Sequence, residues 1–318
     1  MTHDSLPQIP DAATPDYYRQ LVEFGRFVER ECRPGCRYDL ARWPNPFWQK
    51  VEAHMLAGLQ RFLEADGNGI TMLQWYNSGV LFRAAGKVIA FDLVPVPRYY
   101  GWPEPGGLTA RIAAAIDALC ITHNHQDHYD EELVKACNIA GKPVFMHPDA
   151  ASDGVEIAKL SDGAAFSIGQ IVCTARYACH VWRSRPEEVP LTAFEVEFAG
   201  GFRIVFCGDA DYTRGLAGVK PGADALFITW RNPGPQYEDG HPEQTGTTLD
   251  AARLAIARFA PQRLVLQHYG ELDHVYKGFS ASYEMAVEIV RELTLPVSIH
   301  FWGARFDLTE ALKKDLKV

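Results

Sequence analysis

Three histidines and an aspartate, His123, His125, Asp127 and His128, stand close together in the run Ile121-Thr122-His123-Asn124-His125-Gln126-Asp127-His128-Tyr129-Asp130. Imidazole nitrogens and a carboxylate at this density suit zinc, or a harder divalent ion such as manganese or iron(II). A solvated histidine-rich loop or an expression tag has a similar composition, but tags sit at termini and carry no aspartate in fixed register. This tract is internal. It follows an apolar, strand-like run over 116–121 and precedes a helix-like one, Glu131 to Ile139, with Asp130 as N-cap and Gly141 beyond its end. Loops after strands are where open α/β folds place their sites, so the tract reads as a metal site.

Three later residues offer the same chemistry at the ends of strand-like segments. His180 closes Ile171 to His180, Asp209 follows Cys207-Gly208, and His268 follows Leu264 to Gln267. Taken singly, each has a bland explanation: a core histidine with its bonds satisfied, or an aspartate opening a turn. Their joint occurrence makes them candidate ligands alongside the tract. Tyr269 and His274, just past His268, carry groups that donate a proton to a leaving group or bind substrate, if they are not merely solvated loop residues. Arg183, soon after His180, and Arg231, at a strand end on the same edge, carry guanidinium groups whose geometry matches phosphate.

The elements that must hold these residues alternate in type. Two helices come first, one from Asp16 to Glu31 and one with the stripe Phe47, Val51, Met55, Leu59 and Phe62, capped by Asn45 with Pro46 in its first turn. They form a helical extension over 1–66, expected to pack against the main body. The composition changes at Gly67-Asn68-Gly69, and a second unit runs over 67–318. It opens with strands at Ile70 to Tyr76, Gly79 to Ala84 and Lys87 to Phe91, the last two joined by an Ala85-Gly86 turn. A mixed α/β stretch carries the tract, then strands crowd together from Ala165 to Cys207. Helices and strands alternate again from Ala223 to Trp302. That order predicts two sheets with helices outside.

The chain has 318 residues, 47% hydrophobic and 22% charged, which is ordinary for a globular protein. Its 31 basic against 40 acidic residues give a formal net charge of -9, which disfavours a grip on nucleic acid. Neither a secretion signal nor a run of apolar residues long enough to span a membrane is visible. Seven scattered cysteines do not suggest a disulfide framework, and Cys120, Cys179 and Cys207 read as small buried hydrophobes. A reducing cytoplasm fits this usage, the expected partner is a small-molecule substrate, and the sequence permits a homo-oligomer.

The tract resembles the H-x-H-x-D-H motif of the metallo-β-lactamase superfamily, with the later family positions falling on His180, Asp209 and His268 in order. Within it, T-H-N-H-Q-D-H-Y-D, F-C-G-D-A-D-Y and Q-H-Y-G are most similar to the branch of ascorbate-6-phosphate lactonases and N-acyl-phosphatidylethanolamine phospholipase D. The resemblance implies a four-layer αββα sandwich over about 70–305, preceded here by the helical extension, with two divalent ions per chain at one edge. By that analogy His123, His125 and His180 hold one ion, Asp127, His128 and His268 the other, and Asp209 bridges them. Nitrogen-rich ligation favours zinc, while the carboxylates admit manganese or iron. Ions sharing Asp209 would share a water whose pKa falls from 15.7 to about 7, which supplies hydroxide at neutral pH.

The expected activity is therefore metal-dependent hydrolysis of a small, phosphorylated or unphosphorylated, lactone or ester, with Asp127, Asp209 and His274 as the catalytic side chains. A phosphodiesterase of the phospholipase D or nuclease type, and a non-catalytic metal-binding sensor of the same fold, are the alternatives. True β-lactamases of this fold tend to carry cysteine where Asp209 stands, so the resemblance does not extend to an antibiotic substrate. In the branch, the first hairpin often carries a Gly-His pair where this chain has Tyr76-Asn77-Ser78-Gly79.

Overall fold

The computed structural model describes residues 6–65, 69–150, 154–180, 189–229 and 248–309. Seven α-helices are assigned among them: α1 (Tyr17–Glu31), α2 (Pro46–Leu63), α3 (Leu108–Ala115), α4 (Glu131–Ile139), α5 (Thr248–Phe259), α6 (Leu272–Tyr276) and α7 (Tyr283–Glu292). Strands β1 (Thr71–Gln74), β2 (Val80–Ala84), β3 (Lys87–Phe91), β4 (Ala118–Cys120), β5 (Val144–Met146) and β6 (Ala158–Lys159) build most of the first sheet. The second comprises β7 (Ala165–Ile168), β8 (Ile171–His180), β9 (Pro190–Glu197), β10 (Arg203–Phe206), β11 (Ala210–Gly215), β12 (Ala225–Thr229), β13 (Leu264–Gln267) and β14 (Val297–Ile299). A last strand, β15 (Arg305–Asp307), returns to the first sheet.

The first sheet runs β15-β1-β2-β3-β4-β5-β6, antiparallel up to β3 and parallel beyond it. The second runs β11-β8-β9-β10-β12-β13-β14, with β7 beside β8, and is parallel from β10 to β14. Ala85 and Gly86, both at positive φ, make the two-residue loop between β2 and β3. Alternation along each strand sends one set of side chains between the sheets and the other towards the helices. Phe82 and Phe91 of the first sheet meet Phe227, Phe194 and Phe206 of the second at ring distances of 5.0–5.6 Å. Leu81, Val88 and Ala90 point the other way, into a core shared with the helices. The arrangement is the expected αββα sandwich. Because both faces of each sheet are covered, central strands such as β10 and β13 are almost wholly apolar.

The N-terminal helices pack against the body, as their stripes require. Asn45 caps α2 by accepting from the Trp48 N–H at 3.1 Å. Tyr17 of α1 donates its hydroxyl to the Ile299 carbonyl and accepts from the Phe301 N–H. Phe24 sits edge-on to Tyr283, Phe301 and Trp302. His54 of α2 is half-buried beside Phe301. Four features were not anticipated. Strands β6, β11 and β15 are held by tertiary pairing rather than by an alternating pattern, and α6 is too short to show helical periodicity.

The extension approaches the body closely at Gly58 of α2, where a Cβ would stand 2.1 Å from the Gly303 carbonyl oxygen. Two backbones in that contact cannot give way cheaply. Gly58→Ala is expected to cost ~1–3 kcal/mol by overpacking, despite the better helix propensity of alanine, and a urea unfolding midpoint no lower than that of the parent would contradict this.

Candidate metal centre

All seven candidate ligands sit where strands end. His123 follows β4 by three residues, His180 ends β8, Asp209 lies between β10 and β11, and His268 immediately follows β13. Pairing of Ala210 with His180 holds β11 beside β8 and so sets Asp209 next to His180. Gly208 is needed at φ 51, and it also approaches Thr122 so closely that a Cβ would meet Thr122 Oγ1 at 2.6 Å. The backbone of Thr192 donates to the Thr122 carbonyl at 2.8 Å, so both sheets grip the loop that begins the tract. His268 has a left-handed backbone, φ 66, a strained conformation for a non-glycine residue. Asp130 accepts from the Leu133 N–H at 2.8 Å and starts α4 directly after the tract.

Donor atoms of these side chains converge in three overlapping groups, each with its atoms within 4.8 Å of one another: His123, His125 and His180; Asp127, His128 and His268; and His123, His128 and Asp209. Asp209 Oδ2 lies 3.6 Å from His180 Nε2, 3.6 Å from His128 Nε2 and 3.2 Å from His268 Nε2. It is thus central to both halves of the cluster.

The outer nitrogens are already engaged. Asp92, wholly buried at the end of β3, accepts from the Thr122 N–H, the Thr122 hydroxyl and His128 Nδ1, at 2.7, 2.7 and 2.8 Å. Since the single proton of that hydroxyl goes to Asp92, the 3.0 Å contact between Thr122 Oγ1 and His123 Nδ1 must use the His123 N–H as donor. His268 Nδ1 is 3.2 Å from Glu271 Oε2. The inner Nε2 atoms of His123 and His128 are buried without hydrogen bonds, as is Asp209 Oδ1. Buried polar atoms left without partners, on imidazoles whose far nitrogens are fixed, are what a divalent cation requires. The donor set fits zinc, manganese or iron.

Electrostatics agree with that reading. Burial, reinforced by the neighbouring imidazoles, makes His123 far less basic than usual, and burial pushes His180 down to about 4. Burial also opposes charge on His128 and His268, yet the carboxylates around them prevail. Asp127, Asp209 and Asp92 hold His128 well above its ordinary value, and Asp209, Glu271 and Asp127 do the same for His268. Asp127 and Asp209 are in turn held well below the carboxylate range, against burial, by those histidines. In the metal-free protein, protons on His128 and His268 therefore neutralise charge that a cation would neutralise.

Binding must expel those protons, so affinity is greatest at high pH and falls as the pH drops, by up to about tenfold per unit for each proton displaced. Calorimetric titration with zinc in buffers of different ionisation enthalpy should show proton release at pH 7. Proton uptake, or affinity independent of pH, would refute this.

The cluster opens on a cavity of about 340 Å³ walled by His125, Asp127, Glu271, Asp273, His274 and Lys277 among others. His274 is thus brought to the site, its Nδ1 3.0 Å from Glu271 Oε2. Tyr269 is not. It is 2% exposed, and its hydroxyl donates to the His300 carbonyl and accepts from the His300 N–H at 2.7 Å, so the expectation that it meets substrate is corrected. The side chain turns into the core shared with Tyr283, because the reversal after His268 sends neighbouring residues to opposite sides. Arg183 and Arg231 lie outside the described residues.

Three residues at the site were not identified from sequence: Asp92, Glu271 and Asn77. Asn77 Nδ2 donates to Asp127 Oδ2 at 2.9 Å, which gives the Tyr76-Asn77-Ser78-Gly79 turn a role in orienting that carboxylate. The available signals were a carboxylate closing β3, and another three residues after a candidate ligand. Replacing Asp92 by Asn should lower metal affinity about 10- to 100-fold while the fold persists. Unchanged affinity in a chelator competition would show that Asp92 does not support the cluster.

Residues 101–269, more than half of the chain, match the family described as the β-lactamase superfamily domain. That span contains all seven converging residues, and the chain belongs to this family. No curated protein matches it by sequence. Among solved structures, CmlA, a diiron β-hydroxylase from Streptomyces venezuelae, is similar over 76% of this chain at 16% identity and a TM-score of 0.56. The match covers 55% of CmlA, so this chain spans about half the length of that relative. Igni18, a metallo hydrolase from the archaeon Ignicoccus hospitalis, matches 75% of this chain and 98% of its own, with 18% identity and a TM-score of 0.52. The metallo-β-lactamase fold protein YhfI from Bacillus subtilis matches 76% and 100%, with 14% identity and a TM-score of 0.50. At these identities the likeness is one of fold. Among the described residues no helix is long and apolar enough to cross a membrane.

Proposed function

We propose that this protein is a dinuclear metal-dependent hydrolase of a small lactone or ester. The observation that carries the proposal is the convergence of seven donors, with the outer nitrogens of His123 and His128 already fixed. In this reading His123, His125 and His180 would hold one ion and Asp127, His128 and His268 the second, with Asp209 lying between the two groups. When bound, such a pair supplies hydroxide at neutral pH and polarises the group under attack. Zinc is the first choice on nitrogen content, with manganese and iron compatible with the three-carboxylate surroundings of Asp127, Asp209 and Asp92. Within the superfamily the tract and the residues around Asp209 and His268 favour the lactonase and phospholipase D-like branch. Residues 1–66 act as a helical buttress of a catalytic unit over 67–318.

The chain's own groups complete the reaction. Asn77 orients Asp127, and Glu271 Oε2 stands between the imidazoles, 3.2 Å from His268 Nδ1 and 3.0 Å from His274 Nδ1. The oxygen of water adds to the carbonyl carbon, the bond from that carbon to the ester oxygen breaks, and a proton passes to the departing alkoxide. His274, on the cavity wall, is the group placed to deliver it. The products are a carboxylic acid and an alcohol, or a hydroxy acid from a lactone.

Protein reconstituted separately with zinc, manganese and iron(II) should hydrolyse members of a panel of lactones and esters. His125→Ala and Asp209→Asn should each lose bound metal and more than about a hundredfold in turnover together. Either variant hydrolysing at the parent rate would refute the assignment, and cleavage confined to phosphodiesters would replace it with phosphodiester chemistry.

A further inference from the structure

The turn between β1 and β2 meets three separate segments of the metal centre through three consecutive residues. The Tyr76 hydroxyl accepts from the Leu272 N–H, at the start of α6, at 3.1 Å. Asn77 Nδ2 donates to Asp127 Oδ2 at 2.9 Å, and the Ser78 carbonyl accepts from Gln267 Nε2 at 3.2 Å. Asn77 takes a left-handed backbone, φ 54, which asparagine tolerates better than most residues. Gln74 Nε2 holds the turn from behind, with the Trp75, Asn77 and Gly79 carbonyls all within 3.1 Å. Gln74, Asn77, Ser78 and Gln267 are each no more than 2% exposed, so a bond lost here leaves a buried polar group unpaired.

Gln267 closes a circuit through this turn. It ends β13, and alternation along that strand sends it, like Val265, into the space between the sheets, where it crosses to Ser78 of the first sheet. Its chain neighbour is His268, whose Nε2 lies 3.1 Å from Asp127 Oδ2. The path from Asp127 through Asn77, Ser78, Gln267 and His268 back to Asp127 is therefore a closed ring of two peptide linkages and three side-chain contacts. No member of such a ring moves alone. The separation of Asp127 and His268, which belong to one converging group, is thus fixed from behind by a glutamine outside that group. The group of His123, His125 and His180 has no member in the ring.

We propose that Gln267 is a positioning residue: through Ser78 and Asn77 it holds Asp127 at the separation from His268 that a divalent ion bound by those two residues and His128 requires. The inference rests on the two-ion reading of the site and deepens it, since it makes one half of the cluster depend on the turn and leaves the other half independent of it.

Full-length protein, freed of metal, would be titrated with zinc against chelators of graded affinity, and the parent should take two ions per chain. Gln267→Met removes the donor while keeping a side chain of similar length. It should weaken the site that Asp127→Ala abolishes by about 10- to 100-fold, as loss of a group supporting a ligand does, and leave the other site unchanged. With cobalt(II) in place of zinc, the absorption bands of the weakened site alone should shift, a change that a general loss of stability does not produce. The double variant Gln267→Met/Asn77→Ala should lose no more affinity than Asn77→Ala by itself, because both act through one ring. Losses that multiply in the double variant, equal weakening of both sites, or parental affinity at both sites in Gln267→Met would overturn the inference while the two-ion reading stands. A parent that binds fewer than two ions would overturn that reading and the inference with it. Should Gln267→Met not fold, Gln74→Met, which removes the donor behind the same turn, should show the same selective loss, and unchanged affinity at both sites would overturn the proposal.

Discussion

A buried carboxylate that no solvent reaches governs the geometry of the metal centre. Asp92 would be costly to bury alone, and it is tolerated because the Thr122 N–H, the Thr122 hydroxyl and His128 Nδ1 all donate to it. In satisfying Asp92 those groups lose their freedom. The hydroxyl is turned so that it can only accept from His123, and the two imidazoles are left with their Nε2 atoms facing the same small space. Asp92 closes β3 while Thr122 and His123 follow β4, its parallel neighbour, so sheet register brings them together. The site is a consequence of strand pairing before it is a consequence of any ion.

The other half of the cluster is held less directly. His268 carries a left-handed backbone, and conformations of that kind cost of order 1–3 kcal/mol unless the surroundings impose them. Here the surroundings include Gly270, where a Cβ would stand 2.4 Å from the Tyr283 hydroxyl, and Tyr269, locked to both sides of the His300 backbone. Behind them stands α1. Glu29 accepts from Ser280 and the Ala281 N–H, Arg26 pairs with Glu284, and Phe24 and Gly25 pack on Tyr283. The helical extension therefore supports the loop that carries His268, Glu271 and His274, although none of its described residues is a donor to the cluster.

Much of this was legible in the sequence, for identifiable reasons. The sandwich follows from strands bounded by turn residues and from the order in which helices interrupt them. The ends of α2 and α4 could be read from Asn45 and Asp130 because an N-cap acts within three residues. His123, His125, Asp127, His128, His180, Asp209 and His268 stood out by side-chain type at strand ends. The supporting groups did not, since an aspartate at the end of β3 looks like any turn residue until its parallel neighbour is known. Tyr269 misled for a related reason: proximity in sequence to His268 says nothing about which way a reversed loop sends the next side chain. Strand β11, which aligns Asp209 with His180, depends on a pairing partner some thirty residues away and has no local signature.

Crystals of the protein loaded with manganese, measured for anomalous scattering, would test the central claim most directly. The account predicts two peaks, about 3.5–4 Å apart as in two-metal sites. One would be bounded by His123, His125 and His180, the other by Asp127, His128 and His268, with Asp209 touching both. A single peak, or two peaks that do not share Asp209, would contradict it.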